Sequence, residues 1–284
     1  MKTIAITGVT GHIGGELAKI LAHEGQSVRY LARRPEAAPY YPNASVHKAS
    51  YEDTEESREA IKGADVLFMV SGKESKDRLK EHFAFIDAAK KAGVKHIIYT
   101  SFFNANLDST FTLARDHAKT ENYIIENGFN YTFLRDNFYL DFFLDLCQSN
   151  GEIRGPAADG RVSAVSRYDV AQVAAKVLLE PEKWENKIIN LTGPQSLSMN
   201  DITQVVSHFE QKEIHYINET IEEAYQSRKS YQAEDWEYES WVSTYTAIAN
   251  GELAQTTVDI ETILGRKPLS IQELLLERQK KEAE

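Results

Sequence analysis

The chain has 284 residues, 42% of them hydrophobic, so it can bury the core of one large domain or of two smaller ones. Its formal net charge of −11 disfavours nucleic acid as a partner, because an acidic surface repels phosphate. The single cysteine, Cys147, excludes an internal disulfide and a cysteine-based metal site, and no metal is expected.

The distribution of apolar residues disfavours two further classes of protein. No apolar run approaches the roughly 20 residues that span a bilayer, and the first residues already have the pattern of a strand and a turn rather than of a signal peptide. We therefore expect a soluble, cytoplasmic protein with no membrane partner. Cys147 stands among apolar residues, which favours a small buried side chain over a nucleophile.

The first predicted elements are a strand, a glycine-rich turn and a helix. The apolar run at 4–6 predicts the end of the strand, and apolar residues recur at helical spacing after residue 14. In a turn of this kind, the pyrophosphate of a dinucleotide lies against the helix N-terminus. The alternative is an ordinary glycine-rich turn, because the spacing is G-x-x-G-x-x-G rather than the commoner G-x-G-x-x-G.

Each glycine of this turn has a predicted role. Gly8 allows the tight turn, Gly11 lets the backbone approach phosphate, and Gly14 lets the helix pack closely on the strand. The predicted coenzyme contacts in this turn are Gly8, Val9, Thr10, Gly11, His12 and Ile13.

Strands and helices alternate through the first half of the chain, which predicts a parallel sheet with helices on both faces. Strands are predicted at 27–32, 45–48, 64–70, 96–100 and 130–135, and helices at 54–61, 79–93 and 115–127. The fold class is therefore α/β, with a Rossmann-type doubly wound sheet at 1–150.

The pattern changes after about residue 150. A glycine-rich loop is predicted at 151–160. Helices are predicted at 169–179, from 200 and within the aromatic, acidic segment 219–249, and strands at 187–191 and 213–217. Residues 151–284 are thus expected to form a smaller C-terminal α/β lobe, interleaved with the first domain, with a substrate pocket.

The end of the second predicted strand indicates which coenzyme is bound. An acid at this position would accept hydrogen bonds from a ribose 2′-OH, whereas an arginine accommodates a 2′-phosphate. The chain has Arg33 and Arg34 here and no acid. The sequence therefore predicts NADP(H), with Arg33 as the main contact and Arg34 as a candidate second contact, and the alternative is two solvated arginines.

Further candidate contacts follow the next strands, at the sheet edge where ligands of open parallel sheets lie. Ser71, Gly72 and Lys73 end the fourth strand, and Lys73 either reaches phosphate or is solvated. Thr100 and Ser101 end the fifth strand and are predicted to lie near the nicotinamide.

Several motifs together resemble the NmrA-like branch of the atypical short-chain dehydrogenase/reductases. They are TGVTGHIG at 7–14, Arg33, the segment 99–142, VSRYDVA at 165–171 and LTGP at 191–194. Within that branch, the chain looks most like the NADPH-dependent quinone oxidoreductases. The resemblance implies a Rossmann domain, a small C-terminal lobe and bound NADP(H).

The resemblance also implies site residues and exposes two departures. It implies that Asn137 and Arg167 contact the coenzyme or border the pocket. The tyrosine of the usual Tyr-x-x-x-Lys pair is absent, because position 113 is leucine. Ser50 stands where the family often has an acid near the adenine, which puts that contact in doubt.

His117 falls where some relatives have the lysine of that pair. The sequence predicts that it donates a proton or a hydrogen bond to a quinone oxygen as hydride arrives. The alternative is an exposed helical histidine beside Asp116.

Two functions from different classes follow from these observations. The preferred hypothesis is an NADPH-dependent oxidoreductase that reduces a quinone or a similar conjugated carbonyl, with this small-molecule acceptor as its partner. The rival is a non-catalytic NADP(H)-binding redox sensor of the NmrA type, which would contact a protein partner. A homodimer is considered for either, and a sugar-nucleotide epimerase is disfavoured by the missing tyrosine.

Overall fold

The computed structural model describes residues 2–283, in which strands and helices alternate through the first half. The strands are β1 (Ile4–Thr7), β2 (Val28–Ala32), β3 (Ala44–Lys48), β4 (Val66–Met69), β5 (His96–Phe102), β6 (Asn130–Asp136), β7 (Glu152–Gly155), β8 (Arg161–Val162), β9 (Lys187–Leu191), β10 (Leu197–Ser198) and β11 (His215–Asn218). The helices are α1 (His12–His23), α2 (Glu55–Ile61), α3 (Arg78–Lys91), α4 (Thr112–Glu126), α5 (Leu140–Asn150), α6 (Arg167–Leu179), α7 (Met199–Glu210), α8 (Ile221–Arg228), α9 (Asp235–Ala249), α10 (Asp259–Leu264) and α11 (Ile271–Ala283).

The main sheet of the described residues has seven strands in the order β3-β2-β1-β4-β5-β6-β9. The pairs from β3 to β5 are parallel, and Ile4 of β1 lies opposite Val28 on one side and Val66 on the other. The central strands β1, β4 and β5 are buried along their whole length, as expected of strands covered on both faces. The predicted Rossmann-type, doubly wound α/β fold is confirmed, since it has the strand order 3-2-1-4-5-6.

The chain divides into two compact units of similar size. Unit 1 comprises Met1–Ser101, Asp116–Arg135 and Val170–Ile189, and unit 2 comprises Phe102–Arg115, Asp136–Asp169 and Asn190–Glu284. The chain therefore passes between the units several times, and the division into domains at about residue 150 stays a prediction.

The core of unit 1 lies where apolar side chains of the sheet meet the helices. Leu67 of β4, Phe85 of α3 and Phe133 of β6 are fully buried in one cluster. Each such side chain contributes about 1.5–3 kcal/mol relative to an exposed one. This packing fixes the carboxyl ends of the strands, where the candidate site residues lie.

Unit 2 corrects the first half of the loop predicted at 151–160, while residues 156–160 are a loop. Residues Glu152–Gly155 form β7, which pairs in parallel with β11, and Ile153 is fully buried. The glycines at either end suggested a loop, but main-chain hydrogen bonds to a strand some 60 residues later decide the structure.

Two further parts of unit 2 are helical. The predicted helical segment 219–249 is two helices, α8 and α9, separated by a 3₁₀ turn at Lys229–Tyr231. The sequence did not predict α5, which carries Cys147. Cys147 is fully buried among apolar residues, as predicted, and this burial raises the pKa of its thiol to about 12.

None of the helices within residues 2–283 has the length and apolar character that crossing a bilayer requires.

Candidate functional site

The turn between β1 and α1 has a geometry that requires glycine at two positions. Gly8 has a φ of +71°, in the left-handed region that favours glycine. A Cβ atom on Gly14 would lie 2.3 Å from the Gly8 carbonyl oxygen, closer than any side chain tolerates. The turn is therefore closed by direct contact between the backbone of the helix and the backbone of the turn.

This contact leaves the N-terminus of α1 at the sheet edge. Gly11 is the N-cap residue, its backbone is extended, and no side chain caps the helix. The first turn carries no acidic residue. Backbone N–H groups and the positive end of the helix dipole at such a terminus favour an anion.

A cavity of about 490 Å³ lies in unit 1 at the carboxyl ends of β1, β2 and β4, within the size range of small-molecule sites. Of the predicted contacts, the cavity is lined by Gly8, Val9, Thr10, Arg33, Ser71, Gly72 and Lys73. Predicted residues from three separate strands are thus brought together at one place.

The other predicted residues of unit 1 do not line this cavity. Gly11, His12 and Ile13 cap or begin α1, and Ile13 is buried. Thr100 is buried at the end of β5, where its hydroxyl accepts the Ser71 N–H at 2.7 Å. Thr100 therefore holds the backbone of the cavity wall.

Ser101 is also buried and bonded within unit 1. Its hydroxyl donates to Glu121 at 2.5 Å, and Glu121 forms an ion pair with Arg135, also at 2.5 Å. The role predicted for Ser101 beside a nicotinamide stays a prediction.

Asn137 and Arg167 belong to unit 2. The Asn137 amide donates to Ser163 Oγ at 2.9 Å and to the Leu253 carbonyl at 3.0 Å. The Arg167 guanidinium lies over the Tyr139 ring, 5.0 Å from its centre. Both residues thus have partners within their own unit, and their contact with a coenzyme stays a prediction.

Tyr51 is a wall of the cavity that the sequence analysis did not single out. Its ring stacks on Phe85 at 4.5 Å, and its hydroxyl donates to the Val70 carbonyl. Burial raises the pKa of Tyr51, and the nearby cations Arg78 and Arg33 oppose this rise. The lining of the cavity itself carries two cationic side chains, Arg33 and Lys73, and two anionic ones, Glu52 and Glu81.

A carboxylate is present at the end of the cavity where Ser50 departs from the family pattern. Ser50 and Glu52 both line the cavity, and the Ser50 hydroxyl donates to Glu52 Oε2 at 2.5 Å. An acceptor is thus available near this position although residue 50 is not acidic.

The sequence matches the model of the NmrA-like family over residues 1–273. This chain belongs to the NmrA-like family. It is 31% identical over 222 residues to quinone oxidoreductase 2 of Escherichia coli (strain K12), covering 76% of this chain and 77% of the relative. It is also 30% identical over 230 residues to an NAD(P)H azoreductase of Xenophilus azovorans, covering 79% of each.

The structural comparison agrees with the family assignment. The structure of the NADPH-dependent quinone oxidoreductase of Escherichia coli, complexed with NADPH, matches with a TM-score of 0.89 at 26% identity. The match covers 97% of this chain and 99% of that one. The resemblance inferred from the motifs is therefore confirmed over nearly the whole chain.

In this NmrA-like chain, a buried histidine holds the loop after β4. The Gly72 N–H donates to His82 Nε2 at 2.8 Å, so the histidine proton lies on Nδ1 and is donated to Thr120 Oγ1 at 2.9 Å. The Thr120 hydroxyl in turn donates to the Asp116 carbonyl at 2.8 Å. This chain of hydrogen bonds links the cavity wall to α4.

His117 is buried, with 6% of its surface exposed, so the alternative of an exposed helical histidine is wrong. Arg78 donates to its Nε2 at 3.0 Å, which places the proton on Nδ1, 3.0 Å from the Tyr99 hydroxyl. Burial and the Arg78 cation lower the pKa of His117 well below its ordinary value. This geometry supports a role for His117 in holding the side chains of Arg78 and Tyr99 in place. Its predicted role as a proton donor stays a prediction.

Arg78 is the second functional candidate that sequence reasoning missed. Its side chain is only 4% exposed, and its Nε has no hydrogen-bond partner among the described residues. A buried cation with an unpaired N–H is costly unless an anion compensates it. In the sequence, the only sign of such a role is that Arg78 stands at the start of a helix, a few residues after Ser71, Gly72 and Lys73.

The buried histidines predict how stability depends on pH. Burial lowers the pKa of His82 to about 3 and that of His96 to about 4, below the ordinary value of 6.5. As pH falls below 6.5, the unfolded chain takes up protons that the folded chain does not, so the free energy of unfolding falls. Each such histidine adds up to about 1.4 kcal/mol per pH unit to this slope.

The variant His82→Gln tests this prediction, because it removes one of these titrating groups. Urea unfolding at several pH values between about 5 and 6.5 should give a slope smaller by about 1 kcal/mol per pH unit than that of the wild type, because the unfolded histidine is only half protonated at pH 6.5. The matched control His23→Gln replaces an exposed histidine of α1 and should leave the slope unchanged. Equal slopes for wild type and His82→Gln would contradict the prediction.

Proposed function

We propose that this chain is an NADPH-dependent oxidoreductase that reduces a quinone or a similar flat conjugated carbonyl. The observation that carries the proposal is the cavity of unit 1, which joins the glycine turn to the arginine after β2. The names of the two relatives, a quinone oxidoreductase and an NAD(P)H azoreductase, support an enzyme that reduces conjugated acceptors.

In this proposal, the glycine turn and the N-terminus of α1 hold the pyrophosphate of the coenzyme. Gly8 and Gly14 keep side chains out of the turn, so that backbone N–H groups can approach phosphate. Arg33, exposed at the cavity wall after β2, binds the 2′-phosphate through its planar guanidinium. Bound NADPH supplies the hydride.

The remaining residues of the site keep the cavity wall in place. The Tyr51 hydroxyl holds the Val70 carbonyl, Thr100 holds the Ser71 N–H, and His82 holds the Gly72 N–H. The backbone that follows β4 is therefore fixed before any ligand binds. Such preorganisation lowers the cost of orienting a coenzyme and an acceptor.

The missing tyrosine favours a quinone over a simple ketone or alcohol. Leu113 is buried and apolar, so it cannot give or take a proton where the usual tyrosine does. A ketone needs a proton as hydride arrives, because an alkoxide is a strong base. A reduced quinone oxygen is much less basic, and water can protonate it later, which suits a site without that tyrosine.

The role of Arg33 predicts coenzyme preference. Arg33→Ala should weaken NADPH binding by about 1.5–3 kcal/mol, the scale of hydrogen bonds to a charged group, and should change NADH binding little. The matched control is Arg34→Ala, which changes the next exposed arginine, a residue that does not line the cavity. Calorimetric titration of each variant with both coenzymes measures the effect. Equal weakening of NADPH and NADH in Arg33→Ala would refute the assigned role.

Turnover distinguishes the enzyme from the redox sensor. This test is needed because the absence of the usual tyrosine fits both functions. We expect stopped-flow mixing of NADPH-loaded protein with a panel of quinones to oxidise the coenzyme faster than free NADPH in buffer. No acceleration for any acceptor, together with different affinities for NADPH and NADP⁺, would favour the sensor. The expected cytoplasmic location, homodimer and protein partner stay predictions.

A further inference from the structure

Unit 2 contains a cavity of its own, of about 550 Å³, that the proposed function does not use. It lies among α5, β7, α8 and α9, and none of its lining residues lines the coenzyme cavity of unit 1. Its apolar walls are Phe142, Leu146, Tyr231, Trp241 and Tyr245. Its volume is that of a site for a small organic molecule.

The aromatic walls leave apolar ring surface open. The rings of Trp241 and Tyr231 pack in a T-shaped arrangement with their centres 5.8 Å apart, and Trp241 and Tyr238 pack in the same way at the same distance. Tyr231 is 66% exposed and Phe142 is 37% exposed. Exposed groups of large aromatic side chains commonly mark binding sites on proteins. A flat ring system would fit between the rings of this group.

The floor of the cavity is rigid. A Cβ atom on Gly155 would lie 2.5 Å from the Tyr245 ring, so that ring rests directly on the backbone of β7. The buried Arg228 guanidinium lies 5.4 Å from the centre of the same ring. The cavity therefore exists before a ligand binds, which lowers the entropic cost of binding.

The charged groups near the cavity balance each other. Arg154 pairs with Glu152 at 2.6 Å and with Glu219 at 3.2 Å, and Arg228 pairs with Glu219 at 3.0 Å. Two cations thus face two anions. A phosphate or another ionic ligand would have to compete with these pairs, so the balance favours an uncharged molecule.

Among the groups that line the cavity, Arg154 offers hydrogen-bond donors to a ligand. The hydroxyls of Ser230 and Thr244 donate to backbone carbonyls, so their protons are already used. Arg154 uses Nε and Nη1 for its carboxylate partners, which leaves Nη2 without an acceptor among the described residues. Its N–H groups can therefore donate to a carbonyl oxygen.

We propose that this cavity binds a flat, uncharged aromatic molecule with a carbonyl oxygen at its edge. The aromatic walls hold the ring system, and Arg154 donates to the oxygen. This binding goes beyond the proposed function, because it requires neither coenzyme nor turnover.

The test uses two probes that differ only in the carbonyl group, 9-fluorenone and fluorene. Each is titrated into coenzyme-free protein while the tryptophan fluorescence is recorded and corrected for probe absorbance, since Trp241 lies in the wall. We expect saturable quenching with one molecule per chain and tighter binding of 9-fluorenone. The absence of saturable binding, or tighter binding of fluorene, would overturn the proposal.

A pair of variants in one turn identifies the place of binding. Ser230→Phe puts a bulky ring into the cavity mouth, whereas Lys229→Phe changes the neighbouring exposed residue, which does not line it. We expect Ser230→Phe to weaken 9-fluorenone binding at least about tenfold, and Lys229→Phe to change it less than about twofold. We expect the NADPH affinity to be unchanged in both variants. A negative result for 9-fluorenone would therefore leave the proposed function untouched. Equal 9-fluorenone affinity in the two variants, or its displacement by NADPH, would rule the site out.

Discussion

The contact between Gly14 and the Gly8 carbonyl oxygen determines what the first quarter of the chain can bind. Because no side chain separates them, α1 starts directly on the end of β1, and its uncapped N-terminus lies at the sheet edge. Any larger residue at position 14 would push the helix away and remove the backbone cradle. The cavity, its arginine and the loop after β4 are useful for a phosphate-bearing ligand only while this contact persists.

The acidity of the whole molecule does not prevent the cavity of unit 1 from binding an anion. The chain carries a formal net charge of −11, yet the lining of the cavity is balanced, with Arg33 and Lys73 against Glu52 and Glu81. Salt screens distant surface charges beyond about 8 Å at physiological ionic strength, so these nearby groups and the N-terminus of α1 matter most for a bound anion. The acidic surface disfavours nucleic acid, while the cavity still favours an anionic coenzyme.

The sequence predicted those features that depend on neighbours along the chain. The glycine turn, the strand alternation and the arginine after β2 are local patterns, and the fold they predict is confirmed. The links from His82 to Thr120 and from Arg78 to His117 join residues almost 40 positions apart, so no local pattern announces them. The strand β7 was missed for the same reason, since its partner lies in a distant segment.

The most direct measurement of the central claim is a calorimetric titration of the coenzyme-free protein with NADPH at low and at high salt. We expect one coenzyme per chain and an affinity that falls with salt, because phosphate groups meet a helix N-terminus and a guanidinium. If neither NADPH nor NADP⁺ binds to the folded protein at either salt concentration, the account of the glycine turn as a phosphate cradle is wrong.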